Sequence, residues 1–185
     1  KPKGIKTVLY VPTYRESDTT EKFEMDYQRV ISAFEKRYRE NWIMLIRIHP
    51  KMREKAREIV PKTEKIVDVS LYPDIQELMV VADALITDYS SAVFDFILTY
   101  KPGFIYAINE QRYDIERGLY YPLTATPFTV ARNNEELERN IINFDAEEYS
   151  NRVTRFLQEK GSVDDGKASE RTVRLIQTLL RRLGE

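Results

Sequence analysis

Ala84-Leu-Ile-Thr-Asp-Tyr-Ser-Ser-Ala-Val-Phe-Asp-Phe-Ile-Leu-Thr99 is the stretch on which the fold turns. Its first four residues form a short uninterrupted run, as expected of a strand buried on both faces. The polar block Asp88-Tyr89-Ser90-Ser91 ends that run. A largely apolar helix, Ala92–Thr99, is predicted next, with Ser90 or Ser91 as its cap. The same beat of strand, polar turn and helix recurs on both sides. Upstream, strands are predicted at Thr7–Val11, Trp42–Ile48 and Lys65–Val69. Between them lie an amphipathic helix Lys22–Arg39, with Phe23, Tyr27, Val30, Ile31, Phe34 and Tyr38 on one face, and a short charged helix Met52–Ile59. Asp74 is placed to cap a helix through Ile75, Leu78, Met79 and Ala82. Downstream come strands Gly103–Ala107 and Phe128–Ala131, separated by Asn109–Pro127. That stretch has no clear period and reads as a functional loop with short helical turns. The tail, about 134–184, is helical: Leu137 and Ile141 mark one helix, Tyr149, Val153, Phe156 and Leu157 a second, and Val173, Ile176, Leu179, Leu180 and Leu183 the last. Asp165 or Ser169 is the expected cap of that last helix.

Alternating strands and helices imply right-handed crossovers and an α/β, doubly wound parallel sheet of about six strands. A length of 185 residues suits one domain, 1–185. Such sheets bind ligands outside the carboxyl ends of their strands. There the polar punctuation gathers: Thr13-Tyr14-Arg15, His49-Pro50, Ser70, Asp88 to Ser91, and Asn109.

Composition narrows the chemistry. The 29 basic and 30 acidic side chains nearly balance, which argues against a dedicated nucleic-acid-binding domain. Cysteine is absent and histidine occurs once, which removes disulfides, thiolate zinc sites, cysteine nucleophiles and His–His metal motifs. No glycine spacing gives G-x-G-x-x-G or a P-loop, and no D-x-D occurs. The expectation is therefore a site without tightly bound metal and without a cofactor. No apolar run reaches the roughly 20 residues of a membrane span, and no signal peptide is visible. The chain opens Lys1-Pro2-Lys3 without methionine and is read as a piece of a larger polypeptide.

Individual residues keep two readings. Ser90 and Ser91 open a helix, where free N–H groups and a partial positive charge suit a phosphate; either serine is also an ordinary cap. Arg15 suits bidentate contact with a diphosphate, or solvent. Arg47 lies in a buried strand and needs a partner. His49 is either a structural imidazole or a phosphate donor and general acid. Asp88 and Asp95 bracket the serines and suit a hydroxyl or a ribose, or merely helix-start electrostatics. Tyr113, with Tyr120, Tyr121, Arg112, Arg117 and Gly118, suits a sugar or polyol, or plain packing. The polar turn Ser70–Asp74 suits a base.

In family order stand Pro12-Thr-Tyr-Arg15, Arg47-Ile-His-Pro50, Ile86-Thr-Asp-Tyr-Ser-Ser91 with Phe94-Asp95, Lys101-Pro102, Tyr113 with Arg117-Gly118, and Asp165-Gly-Lys-Ala-Ser169. Together they resemble the C-terminal half of the CDP-glycerol glycerophosphotransferase family, the teichoic-acid primases and polymerases, over nearly the whole chain. Tyr14 stands where many members have Trp. The resemblance implies a GT-B architecture of two Rossmann-like halves, with this half holding the CDP of the donor. It implies transfer of glycerol phosphate from CDP-glycerol to a hydroxyl of a lipid-linked or polymer acceptor, with release of CMP. The implied setting is the cytoplasm, peripheral on the inner face of the membrane. His49 would be catalytic. Arg15, Arg47, Ser90, Ser91, Asp88 and Asp95 would face the CDP diphosphate, and Tyr113 and Arg117 the polyol or acceptor. A second histidine lies in the N-terminal half of the family, so the fragment alone is expected to be inactive. The rival donors are CDP-ribitol or another CDP-polyol. A further rival is a UDP-sugar GT-B enzyme or epimerase-like domain. A phosphoacceptor receiver domain needs an acidic cluster after strand one, where this chain has Pro-Thr-Tyr-Arg.

Overall fold

The structure, a computed structural model, describes residues 4–13, 25–108, 110–119 and 121–183. Tyr14, Arg15, Tyr120 and the start of the predicted Lys22–Arg39 helix lie outside the described residues, as do the side chains of Arg112 and Arg117.

The strands are β1 (Ile5–Val11), β2 (Asn41–Ile46), β3 (Ile66–Asp68), β4 (Ala84–Thr87), β5 (Gly103–Tyr106) and β6 (Thr129–Ala131). They form one parallel sheet in the order β3-β2-β1-β4-β5-β6. Tyr10 is in register with Ile46 on one side and Ile86 on the other. β1 and β4 are the central pair. The chain winds outward from β1 through β2 and β3, then returns to β4 and winds the other way. The switch point therefore lies between β1 and β4, where the flanking loops diverge and leave a crevice. β4 and β5 are buried along their whole length, the expected state of strands covered by helices on both faces.

The helices are α1 (Tyr27–Tyr38), α2 (Ala56–Ile59), α3 (Ile75–Val81), α4 (Ala92–Phe96), α5 (Glu110–Arg117), α6 (Asn134–Ile142), α7 (Ala146–Glu159) and α8 (Ala168–Leu183). α1 buries Tyr27, Val30, Ile31 and Phe34 at helical spacing, with Phe34 stacked on Trp42 at 4.5 Å. Asp26 caps it by accepting from the Arg29 N–H, and it stops at Arg39 in the left-handed region. Arg29 then ties α1 to α6 through Glu135 (2.5 Å) and Glu138 (2.6 Å). Asp74 caps α3 as the sequence predicts.

Several boundaries differ from expectation. β2 stops at Ile46 rather than Ile48, because the Ile48 N–H turns to the Ser70 hydroxyl (3.0 Å) instead of a neighbouring strand. The charged helix starts as a 3₁₀ segment, Pro50–Lys55, before α2. The predicted Ala92–Thr99 helix is α4 followed by a 3₁₀ turn, Ile97–Thr99, closed by Tyr100 in the left-handed region. The largest difference is α5, inside the stretch read as a loop. Its sequence is polar, and its Ile115 is 88% exposed, so it carries no apolar period to find. It is held instead by a Glu110–Arg132 ion pair (2.7 Å) and by Asp114, which accepts from the Leu119 N–H (3.0 Å).

The tail follows the sequence reading. Asp165 accepts from the Lys167 N–H (2.9 Å) and Arg171 (2.7 Å) and so braces the turn before α8, whose first backbone bond runs from the Arg171 N–H to Lys167 O. α8 itself buries no residue. Val173, Leu175, Ile176, Leu179, Leu180 and Leu183 are all exposed.

Candidate functional site

A cavity of about 610 Å³ opens at the carboxyl edge, over the β1–β4 switch point. Arg47 and His49, just past β2, line it, and so do Asp88, Tyr89, Ser90 and Ser91, just past β4. Tyr113 and Gly118 close another side, from α5 and its end. Five of the sequence-predicted site residues, Arg47, His49, Ser90, Ser91 and Tyr113, thus meet at one opening, with Asp88 beneath them. Asp95 is not among the lining residues and is exposed on α4. Arg15 and the Arg117 side chain fall outside the described residues.

Each position has a local cause. Arg47 is 7% exposed; its backbone N–H donates to Tyr10 O (2.9 Å), and its Nη2 reaches Pro73 O at 3.5 Å. A buried guanidinium in the cavity wall places a cation at the edge where an anion would enter. His49 Nδ1 accepts from the Lys51 N–H at 3.3 Å. In the neutral ring the hydrogen then sits on Nε2, which makes Nε2 the donor. Ser90 Oγ accepts from the Ala92 N–H (3.3 Å), while Ser91 occupies the cap position with no side-chain cap bond. α4 has only five residues, so its macrodipole is small. The local N–H groups and hydroxyls matter more here than the helix as a whole.

Asp88 is 7% exposed and its Oδ1 is crowded with donors. It accepts from the Thr13 N–H (2.8 Å), the Thr13 hydroxyl and the Tyr89 N–H (2.6 Å). Ser70 is also occupied by structure: its hydroxyl takes the Ile48 N–H and its own N–H goes to Asp68 (2.9 Å). From that side the cavity is lined by Ile75 rather than by the turn Ser70–Asp74. Lys101 donates to Val80 O (2.6 Å) and Ala82 O (2.7 Å), at the C-terminal end of α3, and does not line the cavity.

Sequence reasoning names Tyr113 and Tyr121 but not the aromatic pairing that builds the apolar half of the site. Tyr89 and Tyr113 stack face to face at 4.1 Å with 12° between their planes, joining α5 to the β4 loop. Phe94, Tyr121 and Leu123 add further apolar wall. Tyr89 lies inside the Asp88–Ser91 block and was the available signal; its partner, 24 positions on, could be found only through the fold. Among the described residues no group of three or more His, Asp or Glu is placed to hold a metal ion. The cavity thus combines a buried cation, an imidazole donor and two hydroxyls with aromatic walls, which suits an anionic group attached to a flat or apolar body.

This is the Rossmann-like doubly wound unit of GT-B proteins, with its opening at the usual switch-point crevice. Residues 1–178 match the CDP-Glycerol:Poly(glycerophosphate) glycerophosphotransferase family, and the chain belongs to it. It is 30% identical over 181 residues to the teichoic acid glycerol-phosphate transferase of Staphylococcus aureus, covering 95% of this chain and 46% of that one. It is 29% identical over 179 residues to the teichoic acid ribitol-phosphate primase of Bacillus spizizenii, covering 95% of this chain and 44% of that one. Among solved structures it resembles the wall teichoic acid polymerase TagF with a TM-score of 0.75 and 28% identity, over 100% of this chain and 45% of that one. A more distant likeness to S. aureus MnaA in its UDP co-structure, TM-score 0.51 at 20% identity over 98% of this chain and 48% of that one, concerns the fold alone. The chain spans less than half the length of each of these relatives.

Proposed function

We propose that this chain is the donor-binding half of a CDP-polyol phosphotransferase. In the whole polypeptide, an acceptor hydroxyl attacks the β-phosphorus of CDP-glycerol. A new P–O bond forms, the bond from β-phosphorus to the bridging oxygen breaks, and CMP leaves with that oxygen and its electron pair. The acceptor's proton is lost to a base in the other half. Arg47 and the N–H and hydroxyl groups at Ser90 and Ser91 hold the diphosphate, with Arg15 as a further cation. His49 donates from Nε2 to a phosphoryl oxygen or to the leaving phosphate. Fixed donors aimed at developing phosphoryl charge are the main contribution a protein makes to such a transfer. Tyr113 and Arg117 face the polyol or acceptor.

The observation that carries this reading is the convergence of Arg47, His49, Ser90 and Ser91 on one switch-point cavity in a member of this family. The donor is supported by a variant of the polymerase TagF solved after a soak with CDPG. Relatives named for glycerol phosphate and for ribitol phosphate keep CDP-ribitol as the second donor. The acceptor is a lipid-linked or polymer hydroxyl, and the place of work is the cytoplasm, peripheral on the inner membrane face. No helix among the described residues is long and apolar enough to cross a membrane. The N-terminal half of the same polypeptide is the partner that completes the cleft. The uncovered apolar stripe of α8 supports it, since soluble surfaces seldom leave six aliphatic side chains together in water.

Calorimetric titration with CDP-glycerol, CDP-ribitol, CDP, CMP and UDP tests the reading. The cytidine diphosphates should bind at least several-fold more tightly than UDP. Equal affinity for CDP and UDP moves the chain to the UDP-sugar reading, and no binding of any nucleotide removes the donor-half assignment.

A further inference from the structure

The carboxyl end of β4 is fastened to the carboxyl end of β1 by two consecutive residues. Thr87 Oγ1 donates to Val11 O (2.6 Å) in the buried interior. Asp88 Oδ1 then takes the Thr13 N–H (2.8 Å) and the Thr13 hydroxyl, and also the N–H of Tyr89 (2.6 Å). Thr7, at the other end of β1, is fastened separately through Asp83 (2.8 Å). The β1–β4 pairing ends at Val11↔Thr87, so these contacts begin where the sheet stops. This is the point where paired strands normally part to make a ligand crevice.

We propose that Asp88 is a positioning residue rather than a ligand of the donor, acting with Thr13 as a latch across the switch point. The proposal rests on the donor-site reading above and deepens it. Three considerations lead to it. An anionic donor is repelled by a buried carboxylate unless that charge is already occupied, and here three donors converge on one carboxylate oxygen. All three come from the two loops that border the cavity, one from each strand end, so the contacts set the spacing of those loops. Tyr89, whose N–H is one of the donors, stacks on Tyr113 and directly precedes Ser90, so the latch also sets where the serine pair stands. A site for a diphosphate needs its donors held in place before the ligand arrives, and a buried charge-assisted cluster does this with little freedom to lose.

The test uses Thr13→Val, Thr13→Ser, Asp88→Asn and Asp88→Ala in this chain, with two readouts. The first is CDP affinity by calorimetry. The second is hydrogen exchange of the Thr13 amide, which should be slow and should have a shifted resonance because it donates to a carboxylate. Thr13→Val should weaken CDP binding by roughly tenfold, Thr13→Ser should restore it to within about twofold, and Asp88→Asn should match Thr13→Val rather than exceed it. Asp88→Ala should raise Thr13 amide exchange at least tenfold. Loss of CDP binding in Asp88→Asn with full binding in Thr13→Val would make Asp88 a direct ligand and overturn the proposal. So would a Thr13 amide that exchanges equally fast in the wild type and in Asp88→Ala. A wild-type chain that binds no nucleotide defeats the donor reading instead; the exchange comparison then decides the latch alone. Should Asp88→Ala fail to fold, the Thr13 pair carries both readouts.

Discussion

Gly103→Ala should destabilise the chain through a single methyl group. Gly103 opens β5, and its backbone is not in the left-handed region, so conformational freedom is not the reason for a glycine here. The reason is space: an added Cβ would lie 3.0 Å from both Cδ1 and Cε1 of Phe128 and 3.1 Å from the Tyr149 hydroxyl. Favourable carbon–carbon contact lies near 3.5–4.0 Å, so the overlap is about half an ångström or more. Neither neighbour has room to retreat, since Phe128 is 3% and Tyr149 1% exposed. Phe128 also lies 6.3 Å from Phe94, a wall of the cavity, and Tyr149 lies 5.2 Å from Phe144. Overpacking of this kind costs about 1–3 kcal/mol. At roughly 2–4 °C per kcal/mol for a chain of this size, the thermal midpoint should fall by about 4–8 °C for a 2 kcal/mol cost. Differential scanning calorimetry measures it. Phe128→Leu in the same background should recover part of the loss, a coupling of about 1 kcal/mol expected of touching residues. An unchanged midpoint, or strict additivity with Phe128→Leu, would refute the packing argument.

Three further outcomes are expected. His49→Ala in the whole polypeptide should slow transfer by roughly 10²-fold while changing the stability of this chain by no more than about 1 kcal/mol; near-normal turnover with a badly destabilised fold would make His49 structural. Burial opposes the charge on Glu35, but the two bonds from Lys65 Nζ (2.8 and 2.9 Å) and one from the Trp42 N–H outweigh it and hold its carboxyl below the ordinary 4.5. That contribution is full above the unfolded pKa and is lost as pH falls through the lowered folded value. Urea titrations should therefore show Glu35→Gln less stable than wild type at pH 7, with the gap closing below about pH 4.5; a gap that widens in acid contradicts the sign. Ile176→Ser with Leu180→Ser should leave the melting of this chain nearly unchanged, since both side chains lie exposed, but should weaken capture of a separately made N-terminal half in a pull-down. A midpoint lowered by many degrees would show that α8 packs on its own domain.

The sheet was legible because its strands are apolar runs with punctuation at both ends. Leu85, Ile86, Phe104 and Ile105 have nearly no exposure, and no alternation was needed to find them. The cap at Asp74 was legible for a local reason, since its bond to the Gln76 N–H (2.7 Å) spans two residues. What escaped was either polar or distant. α5 escaped because its sequence, EQRYDIER, is polar nearly throughout, so no apolar stripe marks it. Ser70 read as a site residue because a serine after a strand looks the same whether it meets a ligand or the Ile48 N–H 22 positions away. The Asp88–Thr13 contacts span 75 positions, and nothing in either neighbourhood announces the other.

The charges at the cavity follow from that last contact. Among the described lining residues the ionic side chains are Arg47, His49 and Asp88. Counted from sequence alone, Arg15 and Arg47 against Asp88 and Asp95 leave no preference for an anion. Asp95, four residues from Ser91 and read as a partner of the same site, is half of that negative count. The fold changes both terms. Asp95 is turned out to solvent on α4, where its field is screened. Asp88 is buried with its Oδ1 directed at three donors of the protein itself. Arg47 is equally buried, and its Nη2 reaches the Pro73 carbonyl at 3.5 Å. In the low dielectric of a half-closed cavity a carboxylate already surrounded by N–H and O–H dipoles repels an anion less than a bare one would. The repulsion that two aspartates at the site would exert is thereby reduced, although the chain as a whole carries a formal charge of −1. Tolerance of an anion at this edge comes from that arrangement of partners, not from the composition.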